Sequence, residues 1–375
     1  MLAARILVFV VGFLLTGWTL LSAIKTVILP RSVQSALNRM VMAPLGRLMR
    51  MVARLRQSFS WRDRVMAMYG PFAMLTLVFV WLALVTVGFM MMFWAVEQVS
   101  WGEAFHESGS SLLTLGFAPI DGTFNRVMSF VEATLGLGLL ALLITYLPTL
   151  YSSFQRREQK VALLEVRAGT PASSLVMLTR IHRIGWFDRI GDEFGEWEAW
   201  FADVEESHTT FPILSFVRSP QPDRHWVVAA GTVLDAASLT ISSVDGSRDP
   251  RTQLVIRAGF VALRRIADFF GIVYDPDPDQ GDPISITRAE FEEALDEMAA
   301  AGIPIVADRD QAWLDFAGWR DNYDTVLLAM AELSMAPYAA WTSDRSTPAH
   351  VQPRVRRWGR RRDVGDGEPI EEVLP

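Results

Sequence analysis

The sequence predicts an all-α membrane protein: three transmembrane helices, a re-entrant loop between the second and third, and a C-terminal all-α cytoplasmic domain. Three observations carry this reading. The chain has 51% hydrophobic residues and a mean hydropathy of +0.22, above a typical soluble protein, and the apolar excess is concentrated in the first 150 of 375 residues. The stretch joining the last two apolar segments is too short and too polar to cross a bilayer. Beyond residue 155, apolar residues recur at helical spacing and strand-like alternation is scarce. The chain has no cysteine, which excludes disulfides, thiolate metal sites and thiol nucleophiles. Net charge is −7, with a basic first 70 residues and an acidic C-terminal half, so bulk charge gives no reason to propose nucleic-acid binding.

Residues 1–30 form the first unit. Residues 6–29 are nearly all apolar, broken by Lys25. At 1.5 Å per residue, about 20 residues cross the ~30 Å hydrocarbon layer. A secretory signal has a shorter apolar core and a small-residue cleavage site. Here the core is long and only Arg5 precedes it, which predicts a retained transmembrane helix.

Residues 31–70 are a basic linker. Arg31, Arg39, Arg47, Arg50, Arg54, Arg56, Arg62 and Arg64 stand against one acid, Asp63. Met40, Leu45, Leu48, Met51, Val52 and Leu55 intersperse with them at roughly helical spacing. Two readings fit: an amphipathic helix on an anionic leaflet, or a solvated basic linker. Under either, the arginine bias places the linker in the cytoplasm and the N-terminus outside.

Residues 71–96 are the second span, uncharged until Glu97, with Trp94 and Trp101 suited to the outer aromatic belt. Residues 97–126 then lie outside. Their balance is acidic, with Glu97, Glu103, Glu107 and Asp121 against Arg126, which attracts cations. Residues 127–150 are the third span, containing Glu132, Gly136, Gly138 and Pro148. A buried charge in a span must face protein or water. For Glu132 the options are a hydrogen bond to the loop helix, an ion site, or snorkelling outward. Gly136 and Gly138 fit close helix packing or a hinge, and Pro148 fits a bend.

Between these spans, residues 104–113 read as a helix that runs into Thr114-Leu115-Gly116-Phe117-Ala118-Pro119, which suits extended chain. Helix followed by extended backbone, returning to the side it came from, is a re-entrant loop. Non-helical backbone at membrane depth is tolerated only where protein or a water-filled cavity satisfies it.

Residues 71–150, with the loop at 103–121, resemble the pore domain of the potassium channel superfamily, in the two-helix, one-pore-loop form of bacterial ion channels. Thr114, Leu115, Gly116 and Phe117 match the first four filter positions, with Leu and Phe as familiar variants. Ala118 replaces the second glycine. Pro119 stands where aspartate is usual, with Asp121 two residues late. Ser110 stands where some members carry a buffering glutamate, and Gly138 has the spacing of the inner-helix hinge glycine; Gly136 lies beside it. The resemblance implies a homotetramer in which the carbonyls of Thr114 to Phe117 replace an ion's hydration shell. It implies no cofactor, with K+ or another monovalent cation as the permeant ion. Ala118 implies reduced potassium selectivity if its position needs positive φ. It also implies an integral protein of the cell (inner) membrane. The competing class is a non-conducting membrane sensor or scaffold that signals through its cytoplasmic domain.

Residues 155–340 read as helices at 161–167, 172–184, 188–206, 210–217, 225–243, 251–270, 288–301 and 323–335. No strand precedes a Gly-x-Gly-x-x-Gly, so a Rossmann-type regulatory domain is not expected, and there is no jelly-roll pattern. The ligand or partner of this domain is not legible. Asp275, Asp277, Asp279 and Asp282 resemble a calcium loop, but Gln280 and Ile286 occupy the positions that need Gly and Glu. Of the five histidines, His106 stands out beside Glu103 and Glu107 in the loop helix, where it offers sensitivity to external pH. No nucleophile elbow appears, and no enzymatic activity is expected. Residues 341–375, with Arg354, Arg356, Arg357, Arg360, Arg361 and Arg362 before an acidic end, read as a disordered tail.

Overall fold

The computed structural model describes residues 2–27, 35–56, 58–97, 99–246, 249–279 and 281–345. The arginine-rich tail and Arg31 lie outside the described residues. Helix dominates: α1 Leu2–Val27, α2 Ala36–Arg54, α3 Phe59–Ala67, α4 Tyr69–Glu97, α5 Trp101–Leu112, α6 Thr123–Ala168, α7 Ser174–Arg183, α8 Ile190–Thr210, α9 Trp226–Ser243, α10 Pro250–Phe270, α11 Arg288–Ala300, α12 Arg309–Asp321 and α13 Asp324–Ser334. Among the described residues there is no β-strand, only one isolated bridge between Val244 and Ile305.

Among the described residues, four stretches are long and apolar enough to cross a membrane: α1, α3–α4 together, α6 and α9. They differ in packing. α1, α4 and α6 keep wide apolar surfaces exposed, including Leu7, Phe13, Phe79, Phe130 and Ile144. α9 is buried on all sides in the larger hydrophobic core, against α6, α7, α8, α10, α12 and α13.

α1 and α4 approach each other closely. A Cβ on Gly12 would lie 2.5 Å from the Gly88 carbonyl oxygen, and one on Gly88 would overlap Thr16 Oγ1. Thr16 and Thr19 turn their hydroxyls back to the carbonyls of Gly12 and Leu15, at 3.0 and 2.8 Å. Those bonds satisfy the polar groups within the helix, so the small-residue seam packs backbone on backbone.

α6 is one helix of 46 residues, about 70 Å at 1.5 Å per residue. Its second half enters the C-terminal helical region. Arg157 is fully buried there. It donates to the carbonyls of Leu214 (2.7 Å) and Val217 (2.8 Å) and pairs with Glu158 at 2.7 Å. Trp200 Nε1 donates to the Arg157 carbonyl, 3.2 Å away. A second buried network crosses the core: Arg320 donates to Asp235 of α9, to Asp324 at 2.7 Å and to the Trp341 carbonyl at 2.5 Å. Buried charges are tolerated because each is paired and bonded.

Most helices lie where the sequence reading places them. α12 is an addition, in a stretch that the periodicity leaves unassigned. It begins at Asp308, whose carboxylate accepts from Gln311 N at 3.0 Å.

Candidate functional site

α5 starts with a capping box. Ser100 Oγ accepts from Glu103 N at 3.2 Å, and Ser100 N donates to the Glu103 carboxylate at 2.8 Å. This satisfies two of the otherwise orphaned groups of the first turn. The Trp94 and Trp101 rings stack at 4.6 Å and 7°, joining the end of α4 to the start of α5. The sequence signal for this start is Ser100-x-x-Glu103, and it moves the helix start upstream of residue 104.

α5 is held between α4 and α6. Ser108 Oγ lies 3.0 Å from the Thr86 carbonyl of α4 and 2.5 Å from the Glu132 carboxyl of α6. Ser111 and Ser129 hydroxyls meet at 2.7 Å. A Cβ on Gly136 would overlap the Leu112 carbonyl oxygen, so this glycine admits the end of α5 against α6. Gly138 faces open space. Of the options open for Glu132, the structure gives the hydrogen bond to α5.

The loop after α5 folds around Ser110. Leu115 N and Gly116 N point to the Ser110 carbonyl, at 2.8 and 3.5 Å. Phe117 N and Ala118 N both donate to Ser110 Oγ at 3.1 Å. Thr114 has φ +55° and Gly116 φ +71°, while Leu115, Phe117 and Ala118 stay outside the positive-φ region. Alternating handedness turns successive amides the same way and builds a concave nest of N–H groups. Here the nest closes on Ser110. Among the described residues, the carbonyls of Thr114, Leu115, Gly116 and Phe117 accept no hydrogen bond within the chain. A β-branched residue at positive φ is costly, on the order of 1–2 kcal/mol, and Thr114 is held there by its neighbours' bonds to Ser110. Gly116 needs no such compensation.

The remaining predicted residues surround this loop. His106 of α5 lies against Phe117, ring centroids 4.6 Å apart. The Asp121 carbonyl, just ahead of the α6 N-cap at Gly122, accepts from Asn125 Nδ2 at 3.0 Å. Leu115 and Phe117 are 57% and 55% exposed, and the apolar Phe124, Val127 and Val131 at the start of α6 are exposed as well. The resemblance puts Ser110 where some pore loops carry a buffering glutamate; its role as the hub of four amides depends on a fold that the sequence does not display.

No protein-family model matches the chain, and neither the curated proteins nor the solved structures give a match.

Proposed function

We propose that the chain is one subunit of a potassium-channel-like cation channel, with α1, α4 and α6 crossing the membrane and α5 and its loop forming a re-entrant filter. One observation carries the reading. Four consecutive amides, from Leu115 to Ala118, turn onto Ser110, and the carbonyls of Thr114 to Phe117 are left without partners on an exposed edge. Carbonyls free of internal bonds are the ligands that can replace an ion's hydration shell. The C-terminal end of α5 adds partial negative charge at the same place.

One loop offers one edge, so a closed site needs further copies around an axis, and four is the number the resemblance implies. The exposed apolar side chains of α6, such as Phe124, Val127 and Phe130, support such an assembly, since neighbouring copies would cover them. α9 has no face left for lipid, which supports reading residues 155–345 as a water-exposed domain built around it. Arginines in residues 39–64 favour the cytoplasm for α2 and α3, and the C-terminal domain falls on the same side.

Ala118 avoids positive φ, so it is unstrained where the resembled filters have glycine. The condition that ties Ala118 to reduced potassium selectivity is therefore not met, and a selective and a weakly selective filter are separated by measurement. The test is the reversal potential of purified protein in planar bilayers under opposed potassium and sodium gradients. Reversal near the potassium equilibrium value means a selective filter. Reversal near zero with robust current means a weakly selective one. Silence at all voltages, with activity in no lipid mixture, supports the non-conducting sensor instead.

A further inference from the structure

α2 carries a surface that the channel reading does not use. It lies across the cytoplasmic ends of α1 and α4. Asn38 Nδ2 donates to Thr26 Oγ1 at 2.7 Å, the Ser22 and Ser35 hydroxyls meet at 2.7 Å, and Tyr69 Oη donates to the Met42 carbonyl at 3.2 Å. Gly46 lets the helix settle on the Tyr69 ring, for a Cβ there would stand 3.2 Å from Tyr69 Oη. These bonds fix α2 at the level where spans α1 and α4 end.

At 100° per residue, Met40, Leu48, Met51 and Leu55 share an arc of roughly 80°, and Arg39, Arg47, Arg50 and Arg54 share the adjoining one. The four apolar side chains are all exposed. α2 contains no acidic residue. An exposed apolar stripe flanked by arginines, held at the end of two spans, fits an anionic leaflet: the stripe enters the acyl boundary and the guanidiniums meet lipid phosphates.

α3 connects this surface to the rest of the chain. The Asp63 carboxylate lies 3.6 Å from Arg218 Nε. Arg218 is buried, and its Nη2 donates to the carbonyls of Ser334 and Met335 at 2.7 and 2.8 Å, at the end of α13. Arg218 closes the segment 211–218, which is wedged between the two halves of the molecule. Phe216 meets the Tyr69 ring of α4 edge-on at 5.1 Å, and Phe211 meets Tyr146 of α6 edge-on at 5.3 Å. Arg157 of α6 holds the segment's carbonyls at Leu214 and Val217.

We propose that α2 is a docking surface for an anionic phospholipid leaflet, and that the Asp63–Arg218 contact transmits its docking to segment 211–218, which braces the cytoplasmic ends of α4 and α6. The inference rests on the membrane topology proposed above, not on conduction, so a silent pore leaves it standing.

The chain has no cysteine, so Met51→Cys takes a single environment-sensitive fluorophore. The full-length protein is placed in vesicles of phosphatidylcholine alone or with one third phosphatidylglycerol. Docking predicts a blue shift in the anionic vesicles only, lost in Arg47→Gln/Arg54→Gln and restored in Arg47→Lys/Arg54→Lys. Equal emission in both vesicles overturns the surface assignment. A probe equally shielded in both means that a second copy or another protein face covers α2, which overturns it too. Hydrogen exchange then tests the relay. Amides of 211–218 should exchange more slowly in anionic vesicles, and Asp63→Asn should lose that difference while keeping the blue shift. Retention of the exchange difference in Asp63→Asn overturns the relay.

Discussion

The Ser108 hydroxyl lies between two oxygens, the Thr86 carbonyl at 3.0 Å and the Glu132 carboxyl at 2.5 Å, and so ties α5 to both flanking helices. A serine hydroxyl has one proton, and a backbone carbonyl can only accept. If Ser108 donates to Thr86, the bond to Glu132 needs a proton from the carboxyl, and a neutral acid supplies it. Glu132→Gln keeps a donor at that place and should preserve assembly and thermal stability. Glu132→Ala leaves the hydroxyl short of a partner in a buried site, a loss on the order of 1–3 kcal/mol, read as a lower melting temperature in detergent. A Gln variant as unstable as the Ala variant would show that the carboxyl is needed as an anion.

The filter reading turns on Gly116 and Ser110. Gly116 has φ +71°, with open space where a methyl group would stand, so Gly116→Ala meets strain in the backbone rather than a clash. It should abolish cation flux into vesicles while the circular-dichroism melting curve stays near wild type. Ser110→Ala removes the acceptor for Phe117 N and Ala118 N. It should lower the potassium-to-sodium permeability ratio with less effect on total flux. Flux identical to wild type in both variants would remove the loop from the conduction path.

The seam between α1 and α4 predicts that α1 is an integral part of the membrane unit. Gly88→Leu cannot be housed against Thr16 and the Gly12 carbonyl without separating the helices. Overpacking of this kind costs roughly 1–3 kcal/mol or more. The expected result is a lower melting temperature and faster proteolysis at the α1–α2 junction; unchanged protection would show that α1 packs elsewhere in the assembly.

His208 and His225 give the C-terminal domain an acid-labile core. Burial, with the positive charge of Arg157 near both, holds each imidazole well below the ordinary histidine range. The geometry agrees: His208 Nε2 is 3.1 Å from Arg157 Nη1, which can only donate, and His225 Nδ1 accepts from Val227 N at 3.2 Å. Below pH ~6.5 the unfolded chain takes up protons at these sites and the folded one does not. Stability therefore falls as pH drops through that value, by about 1.4 kcal/mol per pH unit for each histidine. Thermal melts between pH 7.5 and 5 should show the decline, and His208→Gln should remove about half of its slope, leaving the share of His225.

Arg157 joins α6 to the domain, and its loss leaves Glu158 without its cation, the Val217 carbonyl without a donor and the Leu214 carbonyl with Val217 N alone. Breaking a buried pair from one side costs about 3–5 kcal/mol. Arg157→Met should destabilise the domain by that order, measured by denaturant melts, and should raise hydrogen exchange in residues 211–218 first.

Much of the fold is legible because membrane insertion imposes a strong rule. A helix that crosses a bilayer must be long and apolar, and α1, α4 and α6 meet that test by length and composition. α9 shows where the rule ends: its composition meets the same test, and only its neighbours reveal that it is wrapped by protein. α12 is hard to read in the sequence because Arg309–Asp321 mixes buried Ala312, Phe316 and Ala317 with an exposed Leu314, which blurs the apolar stripe. Its Asp308 and Gln311 cap signal is readable, but a single cap is a weak signal beside a blurred stripe. Gly136 and Gly138 look equivalent in sequence, yet one admits a backbone and the other faces open space.

By itself, then, the sequence determined where apolar length, arginine bias and the filter-like pattern at 114–117 lie, since hydropathy and charge are local sums that need no partner. Tertiary structure alone decided that Ser110 gathers four amides, that Ser108 bridges two helices to Glu132, and that Asp63 reaches Arg218. Each of these joins groups whose meeting depends on how helices cross, and crossing geometry is set by long-range packing that no local pattern encodes.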